Sequence, residues 1–202
     1  IDDYHMIEEG DKIAVGISGG KDSLTLLYAL HGLKRFYPKK FEIHAVTVDL
    51  GFQNLNLDKI KEICEELQVE YTIVSTEIAK IIFEDRKESN PCSLCAKMRK
   101  GALNEKAKEL GCNKSAYAHH KDDVIETSIM NLFLNGNFTT FAPVTYLSRS
   151  DVQTIRPLIY VSEKELRAAA RENNYPILDK SCPKDGFTRR EYVKELLKNT
   201  QQ

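Results

Sequence analysis

Short apolar runs alternate along the chain with segments whose apolar residues recur at helical spacing. The run over 13–17 contains β-branched residues and predicts a strand, and the leucines that follow Gly20 predict a helix. The same pattern predicts strands over 43–48, 71–74, 115–118 and 152–155, and helices over 57–67, 94–110, 124–134, from 162 onward and over 188–197. Ser162 and Glu165 have capping-box spacing at the start of the helix from 162.

Repeated strand–helix units predict parallel strands joined by right-handed crossovers. The expected fold class is α/β, doubly wound, with a mostly parallel sheet and helices on both faces. We expect a single domain over 1–202, with an irregular loop over 176–185 and a short helical extension at about 186–202. Ligands in such folds bind beyond the carboxyl ends of the strands, so the chemistry should follow Ile17, Val48 and Ala118.

Composition narrows the class of protein. The 202 residues are 42% hydrophobic and 29% charged, which is enough for a globular core and excludes general disorder. The apolar runs are far shorter than a membrane span, so we expect no membrane partner. Five cysteines, an odd number without a secretory signal, indicate thiols in a reducing compartment, and the cytoplasm is the expected location.

Charge is unevenly distributed along the chain. The formal net charge is only −1, but residues 86–114 contain eight basic and three acidic residues. Lys97 and Lys100 in this region suit RNA phosphates, although charges on a helix usually form its solvated face. Arg189 and Arg190 have the same two interpretations. A local basic surface is sufficient for a nucleic-acid partner.

The turn between the first predicted strand and helix has the composition of a phosphate-binding loop. Glycines let the backbone approach an anion, and free N–H groups at a helix start point toward it. The spacing does not fit the Walker A pattern, because Val15 occupies the place of its first glycine. A helix start capped by its own serine is the structural alternative. The residues of this turn are Ser18, Gly19, Gly20, Lys21, Asp22 and Ser23.

Two cysteines, Cys92 and Cys95, lie at the start of a predicted helix, where the helix dipole favours thiolates. A lone pair at this spacing is compatible with metal binding, sulfur transfer or redox chemistry. Cys182 is the only other promising ligand, and three ligands are one short of a structural zinc site. An iron–sulfur cluster with three cysteine ligands would leave one iron open to an exogenous sulfide. Cys64 and Cys112 are expected to be packing residues.

A polar segment follows the strand predicted over 115–118. Its histidines and aspartates could simply begin a helix, or they could act at the ligand-bearing edge of the sheet. Arg99 lies one helical turn beyond Cys95, so it shares that face and could reach phosphates. The polar segment comprises His119, His120, Asp122 and Asp123.

Three ordered motifs resemble a known family. The sequence SGGKDS resembles the PP-loop of the N-type ATP pyrophosphatases, which adenylate a substrate and release pyrophosphate. PCSLCAKMRKG, AHHKDD and RPL resemble the tRNA 2-thiocytidine synthetases (TtcA family), whose fold is adenine nucleotide alpha hydrolase-like and Rossmann-like. The resemblance implies that the backbone of 19–23 and Lys21 hold pyrophosphate and that Asp22 helps to place Mg²⁺.

The resemblance also implies roles for the remaining residues. Val48, Asp49, Ala118 and His119 would border the nucleotide. Asp123 and Arg99 would act on substrate, metal or phosphate. Cys92, Cys95 and Cys182 would hold a [4Fe-4S] cluster.

The implied reaction is ATP-dependent sulfur transfer to tRNA. ATP adenylates the C2 oxygen of a cytidine in the anticodon loop, pyrophosphate leaves, sulfide attacks C2 and AMP departs. The implied partners are tRNA and a sulfur donor, such as a cysteine desulfurase or free sulfide. A homodimer is possible by analogy, although the sequence shows no exposed apolar seam.

Three alternatives stay open at this point. The chain could make 2-thiouridine instead, or it could be a non-catalytic adenylate-binding module with structural zinc. A persulfide on one cysteine could also replace the cluster.

Overall fold

The computed structural model describes residues 1–52, 56–86, 91–178, 182 and 189–200. Six strands within these residues form one sheet. They are β1 (Asp11–Gly16), β2 (Phe41–Asp49), β3 (Glu70–Ser75), β4 (Lys114–Ala116), β5 (Val144–Leu147) and β6 (Val152–Ile155). The helices are α1 (Lys21–Leu33), α2 (Asp58–Glu66), α3 (Ile78–Lys80), α4 (Pro91–Glu109), α5 (Lys121–Asn135), α6 (Glu163–Glu172) and α7 (Arg189–Thr200), with a 3₁₀ turn at Asp2–Tyr4 and a π-helical turn at Ile81–Asp85.

The order of strands places the ligand-binding crevice at the centre of the sheet. The order is β3-β2-β1-β4-β6-β5, and every neighbouring pair is parallel except β5 and β6. The chain winds outward from β1 through β2 to β3 and then returns to β4 on the other side of β1. A change of winding direction opens a crevice beyond the carboxyl ends of the two central strands, here β1 and β4.

Alternation along β1 fills a core on each face of the sheet. Ile13 and Val15 point to one face and are buried with leucines of α1, with Ile60 of α2 and with Leu166 of α6. Ala14 points to the other face, where it packs with Leu103 of α4 and other buried residues. Successive strand residues face opposite sides, so the part of a strand that is covered on both faces must be apolar, as Ile13, Ala14 and Val15 of β1 are. The α/β, doubly wound prediction is confirmed.

Most of the predicted elements are present, with shifted ends. β4 ends at Ala116 rather than 118, although the N–H of Tyr117 still donates to the carbonyl of Ile155. The capping box of α6 forms, with the Glu165 N–H donating to Ser162 Oγ at 3.3 Å. Antiparallel β5, the 3₁₀ turn, α3 and the π-helical turn were not predicted, because these elements are too short for periodicity to identify. Within the stretch expected to be an irregular loop, residues 176–178 and 182 have no regular structure, whereas 179–181 and 183–185 lie outside the described residues.

Helix α5 corrects one expectation from the sequence. It leaves large apolar side chains exposed, which are Ile125 in its first half and Leu132, Phe133 and Leu134 in its last turn, followed in the next loop by Phe138. Only Glu126 of this helix is buried. An exposed apolar seam therefore exists on α5, contrary to the sequence analysis. Among the described helices, none has both the length and the apolar character needed to cross a bilayer.

Candidate functional site

A cleft of about 510 Å³ lies over the carboxyl ends of β1, β2 and β4. The turn after β1, the end of β2 and the residues after β4 form its floor. Arg99 and Lys100 of α4 and Arg190 of α7 line its walls, together with Leu178 and Cys182 from the segment before α7. Elements that are distant in the sequence therefore meet at the crevice that the strand order predicts.

The turn after β1 is shaped to receive an anion. Gly19 has φ +77°, and a Cβ placed on it would lie 2.6 Å from Leu178 Cδ1. The Ser18 N–H donates to Ser23 Oγ at 3.1 Å, and the Ser23 hydroxyl donates to the Gly20 carbonyl at 2.9 Å. No side chain of the described residues caps the start of α1. Its first N–H groups are therefore free to bind a phosphate, and the helix dipole favours negative charge there.

Lys21 does not point into this cleft. Its Nζ lies 2.9 Å from Asp22 Oδ1 and 3.2 Å from Glu163 Oε1 of α6. Asp22 lines the cleft over the strand ends, whereas Lys21 lines a second, neighbouring cleft. The predicted phosphate-binding lysine is thus ion-paired in this structure, and its carboxylate partners keep its charge compensated.

The three predicted cysteine ligands share one region. Cys92 and Cys95 lie in the first turns of α4, where Cys92 is exposed and Cys95 is half-buried. Burial raises the pKa of the Cys95 thiol, Arg99 opposes this rise, and the nearby Cys182 and Cys92 add to it. Cys92 and Cys182 therefore both lie close enough to Cys95 for their charges to affect its ionisation. Cys64 and Cys112 are buried in the core, as expected.

The donor set distinguishes between two kinds of inorganic centre. Among the described histidine, cysteine, aspartate and glutamate side chains, no three are grouped tightly enough to hold a single metal ion. A structural zinc requires four such ligands around one ion, and the described residues show no such group. An iron–sulfur cluster presents separate irons to separate thiolates. Of the three cysteines, Cys182 is the one among the described residues that line the cleft.

His119 lies among cations and aromatic rings. Burial lowers its pKa to about 3, helped by the positive charges of Lys100, Arg156, Arg190 and Arg99. Its ring lies 4.7 Å from Phe141 and 5.9 Å from Tyr117, measured between ring centroids. The imidazole is therefore neutral at physiological pH and can donate or accept one hydrogen bond, but it cannot add positive charge.

Charge around His119 is strongly positive. Burial lowers the pKa of Lys100, and Arg156, Arg99 and Arg190 lower it further. The Arg156 guanidinium lies 5.0 Å from the centre of the Phe141 ring and donates to the Ala142 carbonyl. Bringing these cations together in a buried position costs free energy, because they repel one another. A bound polyanion would offset this repulsion, so the arrangement favours binding of a polyanion.

The two predicted aspartates already have protein partners. Asp123 Oδ2 accepts from the His120 N–H at 3.0 Å, and its Oδ1 accepts from Arg190 Nη1 at 2.7 Å. Asp122 Oδ2 accepts from the Glu163 N–H at 2.7 Å and so ties α5 to α6. The helix-start interpretation thus describes Asp123, whereas Asp122 binds the start of α6 rather than that of its own helix. Asp123 also fixes Arg190 at the cleft, and this link between α5 and α7 was not found from the sequence.

Of the two residues expected at the end of β2, only Val48 lines the cleft. Asp49 Oδ1 accepts from the Gly51 N–H at 2.9 Å, and this carboxylate is not among the described lining residues. Ala118 and Arg99 do line it. Leu178 and Phe52 also line it and were not predicted, because an isolated apolar residue in a loop gives no sequence signal.

Glu126 is a buried carboxyl behind the cleft. Burial raises its pKa to about 7, opposed by Lys194 and Arg190 and supported by Asp123 and Glu163. Lys194 Nζ lies 3.9 Å from Glu126 Oε1, and Arg190 Nε lies 3.7 Å from its Oε2. These ion pairs are too long to offset the free-energy cost of removing the carboxylate from water, so its charged form is disfavoured.

We expect Glu126→Gln to flatten part of the pH dependence of stability. An unfolded glutamate ionises near pH 4.5, whereas the folded carboxyl keeps its proton up to about pH 7. The Glu126 carboxyl therefore contributes to the free energy of unfolding below pH 4.5, and this contribution is lost as the pH rises through about 7. Urea unfolding across this range should show that loss in the unaltered chain and in an exposed control, Glu172→Gln, but not in Glu126→Gln. Parallel pH profiles for all three would contradict the prediction.

Comparison with known proteins gives a consistent result. A family model described as the PP-loop domain matches residues 2–200. The tRNA-cytidine(32) 2-sulfurtransferase of Geobacter sulfurreducens is 41% identical over 198 residues, which cover 96% of this chain and 77% of that protein. The protein of the same name from Geobacter metallireducens is 41% identical over 199 residues, covering 97% and 77%.

Solved structures show the same fold. The U34-tRNA thiolase NcsA from Methanococcus maripaludis, solved with its [4Fe-4S] cluster, matches with a TM-score of 0.77 and 27% identity, covering 96% of this chain and 66% of that one. A phosphoadenylyl-sulfate reductase from Candida auris matches with a TM-score of 0.53 and 16% identity, covering 82% and 74%. The second likeness is one of fold alone.

Proposed function

Because this chain belongs to the PP-loop family and, within it, to the tRNA-cytidine(32) 2-sulfurtransferases, we propose that it uses ATP to replace the C2 oxygen of a tRNA cytidine with sulfur. The observation that carries this proposal is the meeting of two chemistries in one cleft. An uncapped helix start with a glycine turn and Cys182, which interacts with Cys95, both line this cleft.

The phosphate end of the cleft suits adenylation. The free N–H groups of α1 would hold the triphosphate, and Arg99, Lys100 and Arg190 would balance the negative charge that develops on pyrophosphate. The C2 oxygen attacks the α-phosphate and pyrophosphate leaves. We propose that Asp22 helps to place Mg²⁺ and that Lys21 exchanges a carboxylate for phosphate when ATP binds.

The thiol end of the cleft suits delivery of sulfur. Cys92, Cys95 and Cys182 would hold a [4Fe-4S] cluster, as the thiolase from Methanococcus does with its own residues. When bound, the cluster supplies activated sulfide. Sulfide adds at C2, and AMP leaves with the former C2 oxygen. Arg99 lines the same cleft as Cys182 and lowers the pKa of Cys95, and its charge would stabilise AMP as a leaving group.

The target base must leave its stack to reach this cleft. Unstacking costs least in a single-stranded loop, which favours the anticodon loop as substrate. The neutral ring of His119, held against Phe141, offers a flat surface and one hydrogen-bonding nitrogen to a flipped base. We place Asp123 here as a positioning residue for Arg190.

Several further proposals concern partners and setting. The enzyme would act in the cytoplasm, with sulfide from a cysteine desulfurase or from the free pool. The exposed apolar face of α5 is compatible with a homodimer. A persulfide on one cysteine is the remaining alternative route for the sulfur.

Nucleoside analysis tests the proposed function directly. Mass spectrometry of tRNA nucleosides from a strain that lacks this gene should show no 2-thiocytidine. A plasmid-borne copy of the gene should restore the modification. Loss of 2-thiouridine with 2-thiocytidine intact would instead support the uridine alternative, which the likeness to a U34 thiolase makes specific. Release of AMP and pyrophosphate by the purified, anaerobically prepared protein should require tRNA.

A further inference from the structure

A second cleft, of about 710 Å³, adjoins the nucleotide cleft. We infer that this second cleft binds backbone phosphates of the RNA substrate, next to the base that reacts. The inference rests on the proposed function and extends it to a new surface. Its cationic lining residues are Lys21, Arg167 and Arg171.

The two clefts share a thin wall. Leu178 lines the nucleotide cleft, whereas Ile177, the preceding residue, lines the second cleft and is 49% exposed. In the same way, Gly20 and Asp22 line the first cleft and Lys21 lines the second. A nucleotide whose base enters the first cleft therefore has its neighbours in the strand within reach of the second.

Charge in the second cleft is positive and only partly compensated. Glu163 is the carboxylate shared by its cations, 3.2 Å from Lys21 Nζ and 3.0 Å from Arg167 Nη2. Glu163 is also 3.3 Å from Lys194 of α7, whereas Lys21 has Asp22 as a second partner at 2.9 Å. These cations lower its pKa to about 2, which outweighs the opposing effect of burial and keeps it ionised. Arg171 has no ion pair among the described residues, so one cation in the cleft is free for a ligand.

The arrangement of the arginines suits a strand of phosphates. Arg167 and Arg171 are four residues apart on α6, so they project from one face about 6 Å apart along the helix axis. Guanidinium groups match phosphate oxygens in two-point hydrogen bonds. Tyr175, which lines the second cleft, is held in place by stacking on Tyr28 of α1 with ring centroids 4.5 Å apart.

The second cleft is a poor site for a free nucleotide. Among the described residues it has no glycine turn in its lining, and it opens broadly to solvent. The first cleft already offers the helix start and the glycine turn that a triphosphate requires. Side-chain cations on an open surface, without a backbone cradle, are typical of contacts to a nucleic-acid backbone.

Binding of RNA by matched variants tests the inference. The probe is a fluorescent RNA hairpin whose single-stranded loop contains cytidine, titrated with the full chain at several salt concentrations. We expect Arg171→Gln to weaken binding about three- to tenfold and to reduce the salt slope by about 0.7, the value for one phosphate contact on a single strand. Arg171→Lys should keep most of the affinity. Lys164→Gln, an equal change of charge on an exposed residue of the same helix outside the cleft, should bind as the unaltered chain does.

Two contrary results have different meanings. If the unaltered chain binds the hairpin and Arg171→Gln binds equally well at every salt concentration, the inference is overturned while the proposed function stands. If the unaltered chain binds ATP but neither this hairpin nor whole tRNA, both the inference and the RNA substrate are overturned. Thermal unfolding of each variant verifies that a loss of binding does not reflect a loss of fold.

Discussion

Cys182→Ala is expected to abolish formation of 2-thiocytidine, by on the order of a hundredfold or more, while ATP still binds. Loss of an outer partner of a metal ligand already costs about 10–100-fold, so loss of a ligand should cost at least as much. ATP affinity should change little, because the glycine turn and the start of α1, rather than Cys182, would hold the phosphates. Nucleoside mass spectrometry, iron quantification under anaerobic conditions and ATP titration measure the three quantities separately.

A matched control is available within the chain. Cys112 is also a free cysteine, but it is buried in the core beyond the end of α4, far along that helix from the Cys92 and Cys95 pair. Cys112→Ala should therefore thiolate normally and keep its iron. Full thiolation by Cys182→Ala would refute the three-cysteine site. Lost thiolation with full iron content would favour a role for Cys182 as a persulfide carrier.

Gly19→Ala should weaken ATP binding at least about tenfold and destabilise the fold. An alanine in the left-handed region at φ +77° costs about 1–2 kcal/mol. Its Cβ would lie 2.6 Å from the Leu178 side chain, which must then move out of the wall of the cleft. The Leu178 N–H also donates to the Gly19 carbonyl at 2.9 Å, so the turn and the wall would shift together. ATP titration and urea unfolding measure the two effects.

Gly32→Ala is the control for this substitution. Gly32 lies inside α1, and a Cβ there meets nothing within 4 Å. Alanine is the better helix former, so this variant should gain about 0.5–1 kcal/mol in its free energy of unfolding and bind ATP normally. An unchanged ATP affinity in Gly19→Ala would show that the glycine turn is not the phosphate site.

The amino-acid pattern was a good guide to the elements and a poorer guide to their ends. Strands and helices of six or more residues were predicted in the right order, because each has enough turns or alternations to show its period. β5 was missed because four residues at the sheet edge show little alternation, and it pairs antiparallel, which no strand–helix unit predicts. Ile125 and Phe133 fitted a helical pattern but lie exposed, since periodicity does not reveal what covers a helix.

The candidate site was predictable where chemistry and local sequence coincide. The glycine turn of 18–23 and the cysteines at 92 and 95 each form a recognisable local motif. Lys21 shows the limit of this reasoning, because its ion pair with Glu163 joins residues that are far apart in the sequence. Arg190 shows the same limit, since its contact with Asp123 depends on how α7 packs on α5.

Local composition alone determined that a strand leads into a glycine-bearing helix start and that a second helix begins with two thiols. Backbone conformation and helix dipoles act over a few residues, so a few residues suffice to specify them. Only the tertiary structure decided that Cys182 lies close enough to Cys95 to affect its pKa, that four cations surround His119 and that Lys21 faces a second cleft. These outcomes depend on burial and on Coulomb interactions across the packed core, which take effect only when distant segments are brought together.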